Sequence, residues 1–545
     1  MADMDRRGFF GVTGAAVATS ALALQHDEAS SAVDLSDDQS DESAAQSAIV
    51  VSAVSEIASL DPALAVDTET ERVCRQVFET LIGIEQETGD ITSLLAADWE
   101  ISDDQLTYTF ELQEGVTFQD GSELTAEVVV ANVERWGRLD EIYGEEVLNS
   151  TVPLAFASVF GGFIGDDACV LESVEAEAEH TVVLTLREPV VFLLQALTLP
   201  AFGIVSAETL SDDDPEQVSE NPVGTGAYQV ASAEDGQIVL RAFEEYWNGS
   251  PDVEQVTVRS LPRSFDRLRE LQRGTLDVYD YVTPDNLRTL VQSGRMFLQR
   301  DPFSVLYLGF NLDHPVMSDP LVREAVARAV DRGSLVRNHF LEGTRTAHQF
   351  IPAALGVHSD EALRYSMHLE EAEDLLEESD YDGEELPFYY PMNATRSYLP
   401  LPEAIFASIA RDLTRVGLNV VPRPVPWNDG YVDRLLADDD RAMHLLGRNG
   451  GYRSPHSFFG PLFSSVTSEF NYDNEEVRDL IDQARSETDG ESRDELYREA
   501  AELIAEDIPA LPLAYPISGL ALGQNIVDYP FSPVLHELYR DIVQQ

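Results

Sequence analysis

From Ala48 onward the chain switches repeatedly between two hydrophobic periods. Ile49 to Val54 reads as a first strand. Trp99 to Leu112 alternates as a hairpin, with Ser102-Asp103-Asp104-Gln105 as the turn between Trp99-Glu100-Ile101 and Leu106-Thr107-Tyr108-Thr109-Phe110. Leu124 to Trp136 returns to helical spacing, and Val182 to Leu186 and Gln255 to Val258 are further strands. Leu321 to Val330 and Leu496 to Ile504 carry apolar residues on one helical face. In Glu71 to Leu81 the positions Val73, Val77, Phe78 and Leu81 do the same, which makes Cys74 a buried structural thiol. Strands interleaved with helices predict α/β lobes.

The punctuation between these segments reads as structural. Asp120-Gly121 is a turn, and Asp319 before Pro320 is an N-cap with proline in the first helical turn. Gly224 and Gly226 bracket a turn ahead of a strand; a phosphate-cradling reading fails because Gln229 stands where GxGxxG needs glycine. Tyr246 and Trp247 end an extended run before Asn248-Gly249 and are expected to pack under a loop.

Composition changes the picture mainly through charge. The 545 residues include 99 Asp and Glu against 35 positive side chains, all arginine, for a net charge of −64. A polyanion of this sign releases no counterions from nucleic acid, which excludes that partner, and an anionic bilayer would repel it. The hydrophobic fraction of 44% is that of a packed chain, so the acid load is a surface feature and not a disorder signature. Self-repulsion on this scale opposes folding in dilute buffer, whereas at 1 M salt the Debye length falls to about 3 Å. A salt-rich habitat is therefore expected. The acids are spread along the chain, and the clusters Asp212 to Asp214 and Asp438 to Asp440 fall between periodic segments without calcium-loop spacing, against a dedicated cation-binding protein.

Arg6-Arg7-Gly8-Phe9-Phe10, followed by an uncharged stretch from Gly11 to Leu24, resembles a twin-arginine export signal. The stretch is shorter than the ~20 residues of a membrane span, Ala21-Leu22-Ala23 supplies a cleavage-like site, and an acidic, Ser-rich leader reaches residue 47. No cysteine follows the signal closely, so no lipid anchor is expected there. Cys74 and Cys169 are the whole thiol inventory, which leaves a single bridge open and no disulfide framework.

A series of short strings then carries a family resemblance. Ser59-Leu60-Asp61-Pro62-Ala63, Val77-Phe78-Glu79-Thr80-Leu81, Leu95-Ala96-Ala97-Asp98-Trp99-Glu100 and Gly115-Val116-Thr117-Phe118-Gln119-Asp120-Gly121 come first. Asn221-Pro222-Val223-Gly224-Thr225-Gly226-Ala227-Tyr228, Leu308-Gly309-Phe310-Asn311, Val322-Arg323-Glu324-Ala325 and Asn471-Tyr472-Asp473-Asn474 follow in the same order. Together, from about Ser52 to Leu513, the chain resembles the family 5 extracytoplasmic solute-binding proteins of ABC importers, the peptide and nickel group. The resemblance implies a two-lobed periplasmic-binding-protein-like α/β fold with an inserted domain, of the cluster C type. It maps the first lobe to 48–81, 221–305 and 508–545, the inserted domain to 82–220, and the second lobe to 306–507. It also implies a small-molecule solute held between the lobes, a closed form that docks on membrane permease subunits, no cofactor and no bond made or broken.

The chain departs from the family at one point. In peptide binders of this family a second-lobe segment Gly-Trp-x-x-Asp ahead of a proline carries the aspartate that pairs with the peptide ammonium. The equivalent here is Gly447 to Pro455, with Arg448 at the tryptophan position and Gly451 at the aspartate position. Loss of that acid weakens the case for ordinary peptides, because a desolvated ammonium needs a carboxylate. Two readings of Arg448 and Arg453 stand: a fork for an oxyanion-bearing solute, or neutralisation of nearby loop acids. Asn449, Tyr452, Trp427, Tyr307 and Asn311 complete the candidate cleft residues. Nickel chelates, oligosaccharides and opine-like compounds rival peptides as the solute, and a sensory role rivals import. A hydrolase is disfavoured, since the chain lacks a G-x-S-x-G elbow and an H-E-x-x-H helix.

Overall fold

The first apolar run forms the strand Ala48–Ala53, whose inward positions Ile49, Val51 and Ala53 are buried on a single core. It is an inner strand of a seven-stranded mixed sheet. The order is Met296–Arg300, Ser518–Leu522, Val278–Tyr279, Ala48–Ala53, Gln255–Ser260, Gln237–Ala242 and Tyr228–Glu234. Ala48–Ala53 runs parallel to both of its neighbours, as an α/β lobe requires. In this computed structural model the described residues are 47–86, 88–144, 154–210, 214–301 and 303–545. The export signal, nearly all of the acidic leader, and Asp212 and Asp213 lie outside them.

The second lobe is built on a six-stranded sheet ordered Arg345–Thr346, Ala510–Tyr515, Ser304–Phe310, Met443–Asn449, Glu385–Met392 and Asn419–Pro426. Its strand Ser304–Phe310 is buried at every position. Leu306, Leu308 and Phe310 join the core on one face, and Val305 and Tyr307 join that on the other. A strand covered on both faces shows no alternation, which is why the sequence displays it only as a continuous apolar run.

An inserted unit has its own core around the antiparallel sheet Ala96–Ile101, Thr107–Leu112, Thr181–Leu186 and Leu171–Ala178. The expected hairpin is present. Ser102 N donates to Thr107 O at 3.0 Å, and Gln105 takes the left-handed conformation at the turn. Helix Ala126–Trp136 packs on this sheet, as its spacing predicts.

The chain leaves the first large sheet after Arg300 and enters the second at Ser304, and it crosses again at 516–517. The flanking strands are paired on both sides: Arg300 lies opposite Ser518 in one sheet, and Leu306 lies opposite Ala514 in the other. Adjacent crossings of this kind form a two-strand hinge. Strand Ala510–Tyr515 belongs to the second sheet, so the lobe boundary expected at 507/508 falls at 516–517, because that strand is needed to cover the edge of Ser304–Phe310. Likewise Ser304 and Val305, expected in the first lobe, belong to a strand of the second sheet.

Several local expectations can be read directly from contacts. A Cβ on Gly224 would stand 2.1 Å from the Val77 carbonyl oxygen and one on Gly226 2.5 Å from that of Gln76, so both glycines serve close backbone approach to the end of helix Thr68–Val77. Tyr246 Oη and Trp247 Nε1 donate to the buried Glu79 carboxylate at 2.6 and 2.8 Å, joined by Thr225 Oγ1 at 2.8 Å. Those rings therefore hold an internal acid. Asp319 caps helix Pro320–Ala329 through Leu321 N at 2.9 Å. Cys74 and Cys169 are both buried and free.

Candidate functional site

Helix Thr68–Val77 starts at Asp67, whose carboxylate accepts from Glu69 N and Thr70 N at 3.0 and 3.1 Å. Its first turn faces the second lobe. Asn449 Nδ2 donates to Thr68 Oγ1 across the gap at 3.2 Å, and Ser397 Oγ positions Asn449 by donating to its Oδ1 at 2.7 Å. Arg396 Nη1 reaches Ser55 Oγ of the first lobe at 3.4 Å. The lobes are therefore in contact.

Arg448 and Asn449 end the strand Met443–Asn449, beside Val305 and Ser304, and this edge of the second sheet forms one wall of the cleft. Arg448 Nε donates to the Ser457 carbonyl at 2.7 Å, and among the described residues its Nη atoms meet no acceptor. Arg396 lies in the loop after strand Glu385–Met392, flat over Trp427 at 3.8 Å, and its buried Nε meets no acceptor. Trp427 in turn stacks on Tyr431 at 5.6 Å. Burial lowers the pKa of both guanidinium groups. Among the described residues neither has a carboxylate within 4.0 Å, in a chain with 99 acids.

The remaining predicted residues divide. Arg453 is 43% exposed at the rim, donating to the Thr88 carbonyl and lying 3.8 Å from Asp90, so it latches the outer edge and does not join Arg448 in a fork. Tyr452 is buried with its ring stacked on Phe192 of the inserted unit at 5.6 Å. Beside it His456 stacks on Phe192 at 4.2 Å, and burial, with Arg485 and Arg448 nearby, pushes its pKa down to about 3. Tyr307 is a core residue donating to Glu469 at 2.7 Å. Asn311 is a correction: it follows the far end of strand Ser304–Phe310, roughly 20 Å from the cleft end at 3.3 Å per residue. Its side chain is taken up by Asp439 O at 3.1 Å and Asn471 Nδ2 at 2.8 Å.

Gly451 stands beside Leu199 of the inserted unit. A Cβ there would lie 2.7 Å from Leu199 Cδ2, the free end of a flexible side chain that would have to turn aside.

Residue-by-residue reading missed Arg396, Glu69 and Glu71. The first-lobe wall is acidic: burial raises the pKa of Glu69, and of Glu71 to about 7. Behind Glu69 runs a buried ion chain. Arg72 pairs with Asp280, Asp280 accepts from Arg300 Nη1 at 2.7 Å, and Arg300 Nε donates to Glu537 at 2.5 Å. Arg300 is the last strand residue before the hinge, so this chain ties the cleft wall to the crossing.

The comparisons with known proteins agree with this geometry. A model of the bacterial extracellular solute-binding proteins, family 5, matches residues 90–470. The chain belongs to this family. It is 27% identical to the heme-binding protein A of Haemophilus influenzae, covering 88% of this chain and 89% of that one. It is 26% identical to the dipeptide-binding protein of Escherichia coli, over 84% and 87%. Among solved structures, a dipeptide-binding protein from Pseudoalteromonas in complex with Met-Leu superposes with a TM-score of 0.83 at 21% identity, covering 91% of this chain and all of that one. A Helicobacter pylori periplasmic binding protein holding the peptide STSA gives 0.81 at 22%, over 91% and 98%. This family 5 protein is thus the solute-binding component of an ABC importer, acting outside the cytoplasm, and members of its family bind rather than transform. No helix among the described residues is long and apolar enough to cross a membrane.

Proposed function

We propose that the solute is a small peptide-like molecule whose carboxylate is held by Arg396 and Arg448. The observation that carries this reading is the pair of desolvated guanidinium groups at the lobe interface with donor atoms free and no carboxylate within 4.0 Å among the described residues. A buried charge without a partner costs several kcal/mol. An arginine fork matches a carboxylate bidentately, and a solute supplying that charge stabilises the closed form over the open one. The relatives named for dipeptides and the complexes with Met-Leu and STSA support a peptide-like solute.

Closure then presents the joined lobes to permease subunits, export follows the twin-arginine route, and the acidic surface suits a salt-rich habitat. In these respects the sequence pattern is the support. Calorimetry in molar salt with short peptides and their C-terminal amides tests the reading. A peptide should bind and its amide bind about 30-fold or more weakly, from the 2–5 kcal/mol attached to a lost charged partner. Unchanged affinity in Arg448→Ala would remove Arg448 from the site, and mass spectrometry of co-purified solute would identify the natural cargo.

A further inference from the structure

Glu69 is the one acid of the buried first-lobe network whose oxygens accept no hydrogen bond. Its side chain is 1% exposed. Asp280 is held by Arg72 and by both Nη atoms of Arg300, at 2.7 and 3.1 Å, and Glu537 is held by Arg300 Nε. Glu69 has only an ionic contact with Arg72 Nη1 at 3.3 Å, and that arginine already serves Asp280. Two arginines against three acids leave the network one positive charge short.

On the second lobe Arg396 reaches toward the same region, its Nη1 lying 3.4 Å from Ser55 Oγ of the first lobe, and its charge acts on Glu69. Yet Arg396 and Glu69 form no ion pair within 4.0 Å. An unpaired cation on the second lobe thus faces an underpaired, desolvated carboxylate on the first, with a separation that neither side chain closes. Apposed opposite charges held apart match a zwitterion, with its anionic end toward Arg396 and its cationic end toward Glu69.

We propose that Glu69, at the start of helix Thr68–Val77, receives the ammonium of the solute. This rests on the peptide-like reading above and deepens it. A zwitterion bound in this way holds one lobe at each end, so its two charges close the hinge together. A molecule lacking either charge engages one lobe only.

The test measures dissociation constants by calorimetry in molar salt for one dipeptide, its N-acetyl derivative and its C-terminal amide, with the wild type and Glu69→Gln. The wild type should bind the free dipeptide about 30-fold or more tightly than the acetylated one, and Glu69→Gln should lose that preference while binding the acetylated form as the wild type does. A wild type indifferent to acetylation, or a Glu69→Gln variant that keeps the full preference, overturns the proposal. The amide reports on the carboxylate site separately: discrimination against the amide without discrimination against the acetyl form sinks Glu69 alone. Failure of every dipeptide to bind the wild type sinks the peptide-like reading and this inference together. Should Glu69→Gln not fold, the wild-type comparison and Glu69→Asp decide, since the shortened acid should weaken the free dipeptide and spare the acetylated one.

Discussion

Replacing Arg396 with methionine should move stability and affinity in opposite directions. The guanidinium is desolvated, has no carboxylate within 4.0 Å among the described residues, and makes one long hydrogen bond, 3.4 Å to Ser55 Oγ. Its main attraction is the face of Trp427 at 3.8 Å, about 1–2 kcal/mol for a partly desolvated cation–π contact. Methionine keeps an apolar stem over the indole and adds a sulfur–aromatic contact of about 0.3–1.5 kcal/mol, so much of that attraction is replaced. Removal of the unpaired buried charge returns several kcal/mol of desolvation cost, of which the weakened field at Glu69 takes back a part. The ligand-free variant should therefore unfold in denaturant at the parent midpoint or above it, by up to about 2 kcal/mol. Its affinity for a carboxylate-bearing peptide should fall by about 2–5 kcal/mol, or roughly 30- to several thousand-fold. Tryptophan fluorescence through a urea titration and calorimetry, both in molar potassium chloride, provide the two readings. Parent affinity refutes the binding role, and a loss of more than about 2 kcal/mol in the ligand-free protein shows that Arg396 is a structural cation.

Three further outcomes are expected. Burial holds the Glu71 carboxyl at about 7 against an ordinary 4.5, with Arg75 and Arg448 opposing and Asp67 assisting. A carboxyl raised on folding binds its proton more tightly in the native state, so its stabilisation is complete below pH 4.5 and is lost as pH rises to about 7. Glu71→Gln should flatten the fall in unfolding free energy across that window, by no more than about 3 kcal/mol, and an unchanged profile would refute the assignment. Gly451→Asp would bring its Cβ to 2.7 Å from Leu199 Cδ2, which a turn of that side chain relieves, so the variant should fold with its unfolding free energy lowered by about 1–3 kcal/mol, and a larger loss in a urea titration would show that Leu199 cannot move. With a net charge of −64, the thermal midpoint should climb steeply from low salt to about 1 M, where screening shortens to about 3 Å, and a flat salt profile would count against the habitat argument.

Much of the scaffold was legible because strands and helices declare themselves through neighbours two to four positions away. Ile49 to Val54, the 99–112 hairpin and the Asp319-Pro320 helix start all correspond to observed elements. Long helices were harder at their ends. Leu496 to Ile504 is the apolar middle of Gly490–Asp507, whose first turns are polar and solvent-facing. Arg448 and Asn449 stand at the end of a strand beside the first lobe, whereas Asn311 lies in another family string and braces a loop at the other end of its strand. Tyr452 and Arg453 adjoin Arg448 in sequence, but one is stacked into the inserted unit and the other reaches the rim.

Composition and periodicity alone settled that this chain is a folded, acid-coated α/β protein, and collinear strings were enough to indicate its family. They could not say which of its scarce arginines lack a carboxylate, since that depends on distances between residues far apart in the chain. Arg396 and Glu69 are separated by more than three hundred positions and come near each other only because the tertiary fold brings two different sheets together. Desolvation decides the chemistry of both groups, and it exists only where tertiary packing removes the water.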